Sequence, residues 1–298
     1  MSRHERIPEP GRTAPTGGST DPCPDGIRLR ALSLGAGVQS TTLALMAARG
    51  EIGPMPDCAI FADTGWEPAA VYRHLDWLRS PGLLPFPVYV VMAGNIRDDL
   101  IAGAEGHRWA SIPAFTRTVN RSGRVSIGMI RRQCTKDYKI VPIRRKVREL
   151  LGLTHRRSPT TPVVEQWIGI SLDEALRMKP SFESWQVNRW PLIERRMTRN
   201  DCLRWLARHR YPTPPKSACI GCPFHSNDRW RQIRDEDPEA WADAVDLDHR
   251  IRTGFRGIRG EVFLHRDAVS LNRADLRSEA DFGQLDLWPN ECEGMCGV

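Results

Sequence analysis

The stretch Ala31-Leu-Ser-Leu-Gly-Ala-Gly-Val-Gln-Ser-Thr-Thr42 leaves this chain few ways to fold. Apolar residues alternate through Ile27-Arg-Leu-Arg-Ala-Leu-Ser33 before it, and a helix-forming run, Thr42-Leu-Ala-Leu-Met-Ala-Ala-Arg49, comes after. A strand that turns through two glycines into a helix exposes unpaired N–H groups at the positive end of the helix dipole, which suits an anion. Ser33, Ser40 and Thr41 add hydroxyls beside Gly35 and Gly37. A phosphate or pyrophosphate is the expected guest, and a tight turn with no ligand is the plain alternative. The turn carries neither the Gly-x-Gly-x-x-Gly dinucleotide fingerprint nor the Walker Gly-x-x-x-x-Gly-Lys-Ser/Thr pattern, which sets both of those phosphate sites aside.

Strand and helix patterns then alternate. Asp57-Cys-Ala-Ile-Phe-Ala-Asp63 is a continuous apolar run of the kind buried on both faces of a sheet, and it ends in Asp63-Thr-Gly-Trp-Glu-Pro68. Ala69 to Leu78 reads as a helix, Phe86 to Met92 as a third strand and Ile96 to Ala104 as a short helix. Residues 105–128 show no clear periodicity and are expected to form a mobile lid. Helix follows over Ile140 to Leu151 and strand over Val163 to Ile170, with Asp173, Glu174 and Arg177 just beyond, facing the cleft or simply opening a helix. Met197 to His209 reads as a helix capped by Thr198, with two more at Asn227 to Arg234 and Pro238 to Ile251.

This order predicts an α/β fold: a doubly wound, mainly parallel sheet with helices on both faces and ligands at the carboxyl ends of the strands. The glycine turn and Asp63-Thr64 both fall at such ends and should converge. The expected organisation is a disordered leader (1–26), a nucleotide-binding core (27–178) and a helical, cysteine-bearing C-terminal region packed on it (179–298).

Net charge is +7, with a pI near 9.2. The excess crowds into Arg117, Arg121, Arg124, Arg131, Arg132, Lys136, Lys139, Arg144, Arg145, Lys146 and Arg148. That block is either a solvated surface or a face for a polyanion, nucleic acid or phosphorylated nucleotide. No apolar run reaches bilayer length and the N-terminus is polar, so neither a membrane span nor a secretory signal is expected, and a cytoplasmic location is.

Eight cysteines stand at 23, 58, 134, 202, 219, 222, 292 and 296. In a reducing compartment such thiols are metal ligands or reactive groups rather than disulfides. Cys58 in an apolar strand and Cys202 on an amphipathic helix read as core residues, and Cys23 in the leader has no expected role. Cys219-Ile-Gly-Cys222 is a Cys-x-x-Cys turn able to hold a metal or one edge of a cluster. A thioredoxin-like pair is the competing use, although that motif belongs right after a first strand. Structural zinc is a third reading, with His225 and Cys134 as its further ligands.

Several of these segments resemble one superfamily. The glycine turn, opened by Ser33 and closed by Ser40-Thr41, resembles the PP-loop of the adenine-nucleotide alpha hydrolases, which include ATP pyrophosphatases, tRNA thiolation enzymes and phosphoadenosine phosphosulfate (PAPS) reductases. Phe61-Ala-Asp-Thr-Gly-Trp-Glu67 resembles the Val-Asp-Thr-Gly segment of the PAPS reductase-like family. Arg131-Arg-Gln-Cys-Thr-Lys-Asp-Tyr-Lys-Ile-Val-Pro-Ile143 is similar to the paired-cysteine segment of iron–sulfur adenylylsulfate (APS) reductases, and Cys219 with Cys222 to their second cysteine pair. Glu291-Cys292 is similar to the tail that carries their catalytic thiol. The chain departs from the pattern at two places: Gln39 stands where pyrophosphate-releasing members often carry Asp, and Gln133-Cys134 replaces the cysteine pair.

The resemblance implies a PP-loop enzyme. Ser33, Gly35, Gly37, Gln39, Ser40 and Thr41 would cradle the phosphates of ATP with Mg2+, and Asp63-Thr64 would lie beside adenine and ribose. Cys134, Cys219 and Cys222 would hold a [4Fe-4S] cluster with one open iron, unless Cys292 or Cys296 supplied a fourth ligand. Lys136, Lys139 and Arg132 would offset charge near it. Cys292 and Cys296 would carry sulfur, with a sulfur donor or a thioredoxin-like reductant as partner. The implied activity is adenylation of an acceptor, nucleic acid (tRNA or DNA) or nucleotide-like, followed by sulfur insertion. Reduction of APS or PAPS and a non-catalytic nucleotide-binding regulator are the alternatives, and oligomeric state is left open.

Overall fold

The computed structural model describes residues 26–107, 111–278 and 281. Strands β1 (Leu29–Leu34), β2 (Cys58–Asp63) and β3 (Val88–Met92) lie side by side, joined through helices α1 (Val38–Ala48) and α2 (Ala69–Leu78). From β3 the chain leaves the sheet through α3 (Ile96–Ala104) and a hairpin of β4 (Phe115–Val119) and β5 (Val125–Met129). A π-helical turn, Thr135–Ile140, and α4 (Val141–Leu150) bring it back to β6 (Val164–Ile168), which pairs with the free side of β1. β7 (Gln186–Arg189) completes a five-stranded, wholly parallel sheet in the order β3-β2-β1-β6-β7. The winding reverses between β1 and β6, and in such sheets a crevice opens beyond the carboxyl ends at that point.

Burial explains the sheet. Every residue of β2 is buried, as its unbroken apolar run predicts. Leu32, Leu34, Phe61 and Trp167 face α1, α2 and a later helix, α6 (Arg199–Arg208), following the one-turn helix α5 (Pro191–Glu194). Ala31, Ile60 and Val164 face α4 through Val147 on the opposite side. The architecture is therefore α/β, with a parallel central sheet flanked by helices. β7 and α6 build this core from beyond residue 178, so the sheet does not end where the sequence reading drew its boundary.

A second core gathers α3, α7 (Asn227–Glu236) and α8 (Pro238–Arg250) around Trp66, Leu100, Trp230 and Leu247. Here the lid expected over 105–128 is corrected: β4 pairs antiparallel with β5 and with β8 (Glu261–Phe263), giving a three-stranded sheet in the order β5-β4-β8. The alternation Val125-Ser-Ile-Gly-Met129 stood in the sequence but spans only five residues, and β5 is exposed along its whole length. Among the described residues no helix is long and apolar enough to cross a membrane.

Candidate functional site

The glycine turn sits at the carboxyl end of β1. Ala36 has a left-handed φ of 55°, and α1 begins after Gly37 with neither a side-chain cap nor an acid in its first turn. Its first N–H groups are thus left for an anion. Gly35 N–H donates to Ser40 Oγ at 3.1 Å, and that hydroxyl donates to Gly37 O at 3.4 Å. Ser217 Oγ donates to Gly35 O from the far end of the chain. Gly169, just past β6, packs closely on the start of α1: a Cβ there would stand 3.0 Å from both Ser40 N and Ser40 Cα, a tight contact.

Between these walls lies a cavity of about 440 Å³, within the range of small-molecule sites. Ser33, Gly35, Gly37, Gln39 and Ser40 line it, along with six cations (Lys139, Arg144, Arg177, Lys179, Arg199, Lys216) against two acids, Glu174 and Glu183. Gln39 Nε2 donates to Glu174 Oε2 at 3.2 Å and to Ser171 Oγ at 3.4 Å, while Arg177 holds the other oxygen of Glu174. Gln166 Nε2 donates to Ala31 O and Ser33 Oγ, both at 3.0 Å. Its buried Oε1 and the buried Nε1 of Trp190 have no hydrogen-bond partner among the described residues, and both side chains line the cavity. The cavity therefore offers the first N–H groups of α1, an excess of cationic side chains, and the free Gln166 Oε1 acceptor and Trp190 Nε1 donor.

A smaller cavity of about 40 Å³ adjoins it and shares Lys139 as a wall. Cys134, Cys219 and Cys222 all line this second space, with Thr64, Trp66, Arg132 and Thr135. The turn after β2 packs directly on the Cys-x-x-Cys turn: Ile220 N–H donates to Trp66 O at 3.0 Å, and Thr64 Oγ1 lies 3.2 Å from Cys219 Sγ. Gly221 makes that contact possible, since a Cβ would fall 2.1 Å from the Trp66 ring. Thr64 Oγ1 also donates to Glu67 Oε1 at 3.0 Å, and Lys139 Nζ pairs with the same oxygen at 3.9 Å.

The cysteine donor set fits an iron–sulfur cluster in kind: three thiols face one space beside Arg132 and Lys139, whose charge offsets thiolates. The space among them measures about 40 Å³, far smaller than the neighbouring cavity. No group of three or more His, Cys, Asp or Glu among the described residues is gathered so as to hold a single metal ion. The zinc reading also loses His225 Nε2, which lies 3.0 Å from Cys219 O and 3.1 Å from Ile220 O. Two carbonyls can only accept, so this nitrogen carries hydrogen. Burial pushes the His225 imidazole down to about 3, so it stays neutral and braces the cysteine turn.

Not every residue singled out by sequence reaches a cavity. Thr41 is fully buried, with Oγ1 3.0 Å from His74 Nε2 on α2, and it lines neither cavity. Asp63 accepts from Gly65 N–H at 2.8 Å and Tyr72 Oη at 2.9 Å, so it shapes its own turn. Thr64 lines the smaller cavity and not the larger one. Arg132 donates to Thr135 Oγ1 and lies over the Phe224 ring. Lys136 lines neither cavity. Cys58 and Cys202 are buried, and burial pushes both thiols up to about 12, as fits core residues. Cys23, Cys292 and Cys296 lie outside the described residues. Sequence reasoning missed Gln166, Trp190, Lys216, Ser217 and Gly169. Gln166, a polar residue inside an apolar strand, was the one legible signal among them, because buried polar groups need partners or a purpose.

No family model matches the chain, and no curated protein matches it in sequence.

Proposed function

We propose that this chain is a PP-loop enzyme of Rossmann-like fold that binds ATP in the larger cavity, adenylates an acceptor and inserts sulfur from the cysteine cavity. One observation carries the reading: Ser217 is bonded to the glycine turn while Cys219, two residues on, lines the thiol cavity, with Lys139 in the wall of both. In this scheme the α-phosphorus of ATP bonds to a carbonyl oxygen of the acceptor as pyrophosphate leaves, and sulfur then displaces that oxygen as AMP. Ser40, Gly35 and Gly37 would grip the phosphates. Glu174, joined to Gln39, would supply the carboxylate for Mg2+ that position 39 lacks. Lys139 and Arg132 would neutralise charge between the two cavities. Cys134, Cys219 and Cys222 would hold a [4Fe-4S] cluster, which when bound supplies an open iron to carry sulfur.

The cationic lining suits a phosphosulfate as well, and this supports reduction of APS or PAPS as the second reading. Anaerobic purification with iron and sulfide analysis, then incubation with ATP, APS or PAPS, separates the two. The expected result is brown protein absorbing near about 400 nm, as thiolate–iron charge transfer gives, with pyrophosphate formed from ATP. Sulfite from APS or PAPS would replace sulfur insertion by reduction, and colourless protein with stoichiometric zinc would remove the cluster.

A further inference from the structure

The β4–β5 hairpin belongs to neither cavity, yet it is attached to one of them. β8 pairs with β4 as far as Arg117; beyond it the hairpin continues as a two-stranded ribbon for the pairs Thr118–Ser126 and Val119–Val125 and then the turn, and β5, as the edge strand, is exposed on both faces along its whole length. Along β5, Val125, Ile127 and Met129 are each at least half exposed, and Val119 lies opposite Val125. Its tip is hydrogen-bonded: Asn120 Oδ1 accepts from Ser122 N–H at 3.0 Å and Arg124 N–H at 2.9 Å, and Gly123 takes a φ of 79°. Arg121 and Arg124 project from this tip, exposed and without an ion-pair partner among the described residues. From Ser111 to Lys136 the sequence holds five arginines and one lysine but no Asp or Glu. The descending arm runs straight into Cys134, whose N–H and that of Gln133 donate to Ser111 O at the base of the hairpin, at 3.1 and 2.8 Å.

We infer that this hairpin is a docking element for duplex DNA, which makes DNA the acceptor of the reaction proposed above and in that respect rests on that reading. A two-stranded ribbon fits the major groove of B-DNA, about 12 Å wide, and not the deep, narrow groove of A-form RNA. Arg121 and Arg124 meet phosphates, and the Val125–Ile127–Met129 row meets apolar base edges such as thymine methyl groups. Docking there holds the duplex over the segment that ends in the cysteine cavity.

The test is fluorescence anisotropy with a labelled mixed-sequence 24-bp DNA duplex and the matching RNA duplex, across a salt series, with ATP binding measured on the same preparations. Wild-type protein is expected to bind the DNA duplex at least tenfold more tightly than the RNA duplex. The R121A/R124A variant should flatten the log–log salt slope by about 2, the loss of two phosphate contacts, and bind ATP as before. Ile127→Ser should weaken DNA binding with the salt slope unchanged. Equal affinity for both duplexes, or an unchanged slope in the double variant, overturns the docking surface. ATP binding without DNA binding overturns it alone. DNA binding through the two arginines without ATP binding supports it and overturns the nucleotide reading instead.

Discussion

Ser40 Oγ ties the two ends of the glycine turn together, accepting from Gly35 and donating to Gly37. Removing it frees Gly35 N–H and slackens the cradle, so Ser40→Ala is expected to weaken ATP binding about five- to tenfold, the worth of one hydrogen bond. Isothermal titration would show this, and unchanged affinity would count against the turn as the phosphate site. Thr41, its neighbour, serves the core instead, and its partner His74 gives the fold a pH dependence. Burial pushes the His74 imidazole down to about 4, below the unfolded value near 6.5. Between those values the unfolded chain takes up a proton that the fold refuses, so His74 favours the fold fully above pH 6.5 and loses that contribution as pH falls towards 4. His74→Gln, which keeps a partner for Thr41, should flatten the acid limb of a plot of melting temperature against pH. Identical limbs in wild type and variant would refute this.

Among the elements, helices were the most legible. Thr198 was read as a cap from sequence, and it forms a reciprocal capping box with Asp201. α7 and α8 begin at the residues expected, because Ser226 and Asp237 cap them. The hairpin was overlooked, although Val125, Ile127 and Met129 alternate along β5, because the pattern is only five residues long and lies among glycines, serines and arginines. Nor was the seam between the turn after β2 and the Cys-x-x-Cys turn, which depends on the missing side chain of Gly221 beneath Trp66. Gly221→Ala would force the indole, held through Nε1 by Asp243, out of place. Overpacking of this kind costs about 1–3 kcal/mol. The expected readout is a lower urea midpoint together with faster alkylation of Cys219, and a variant with wild-type midpoint and alkylation rate would show that the contact is not needed.

For the whole molecule, the strand–helix alternation was enough to specify a parallel α/β sheet, because runs buried on both faces and separated by amphipathic helices have few other packings. Sequence also picked out the glycine turn and Cys134, Cys219 and Cys222, each from residue types and spacing read locally. Spacing along the chain could not reveal that these features adjoin. Position 217 meets position 35, position 219 meets position 64, and Lys139 walls both cavities only because the irregular segment between α6 and α7 returns to the turns after β1 and β2. Local pattern fixes elements through short-range sterics and burial, whereas a site assembled from contacts more than a hundred residues apart exists only once the chain has folded.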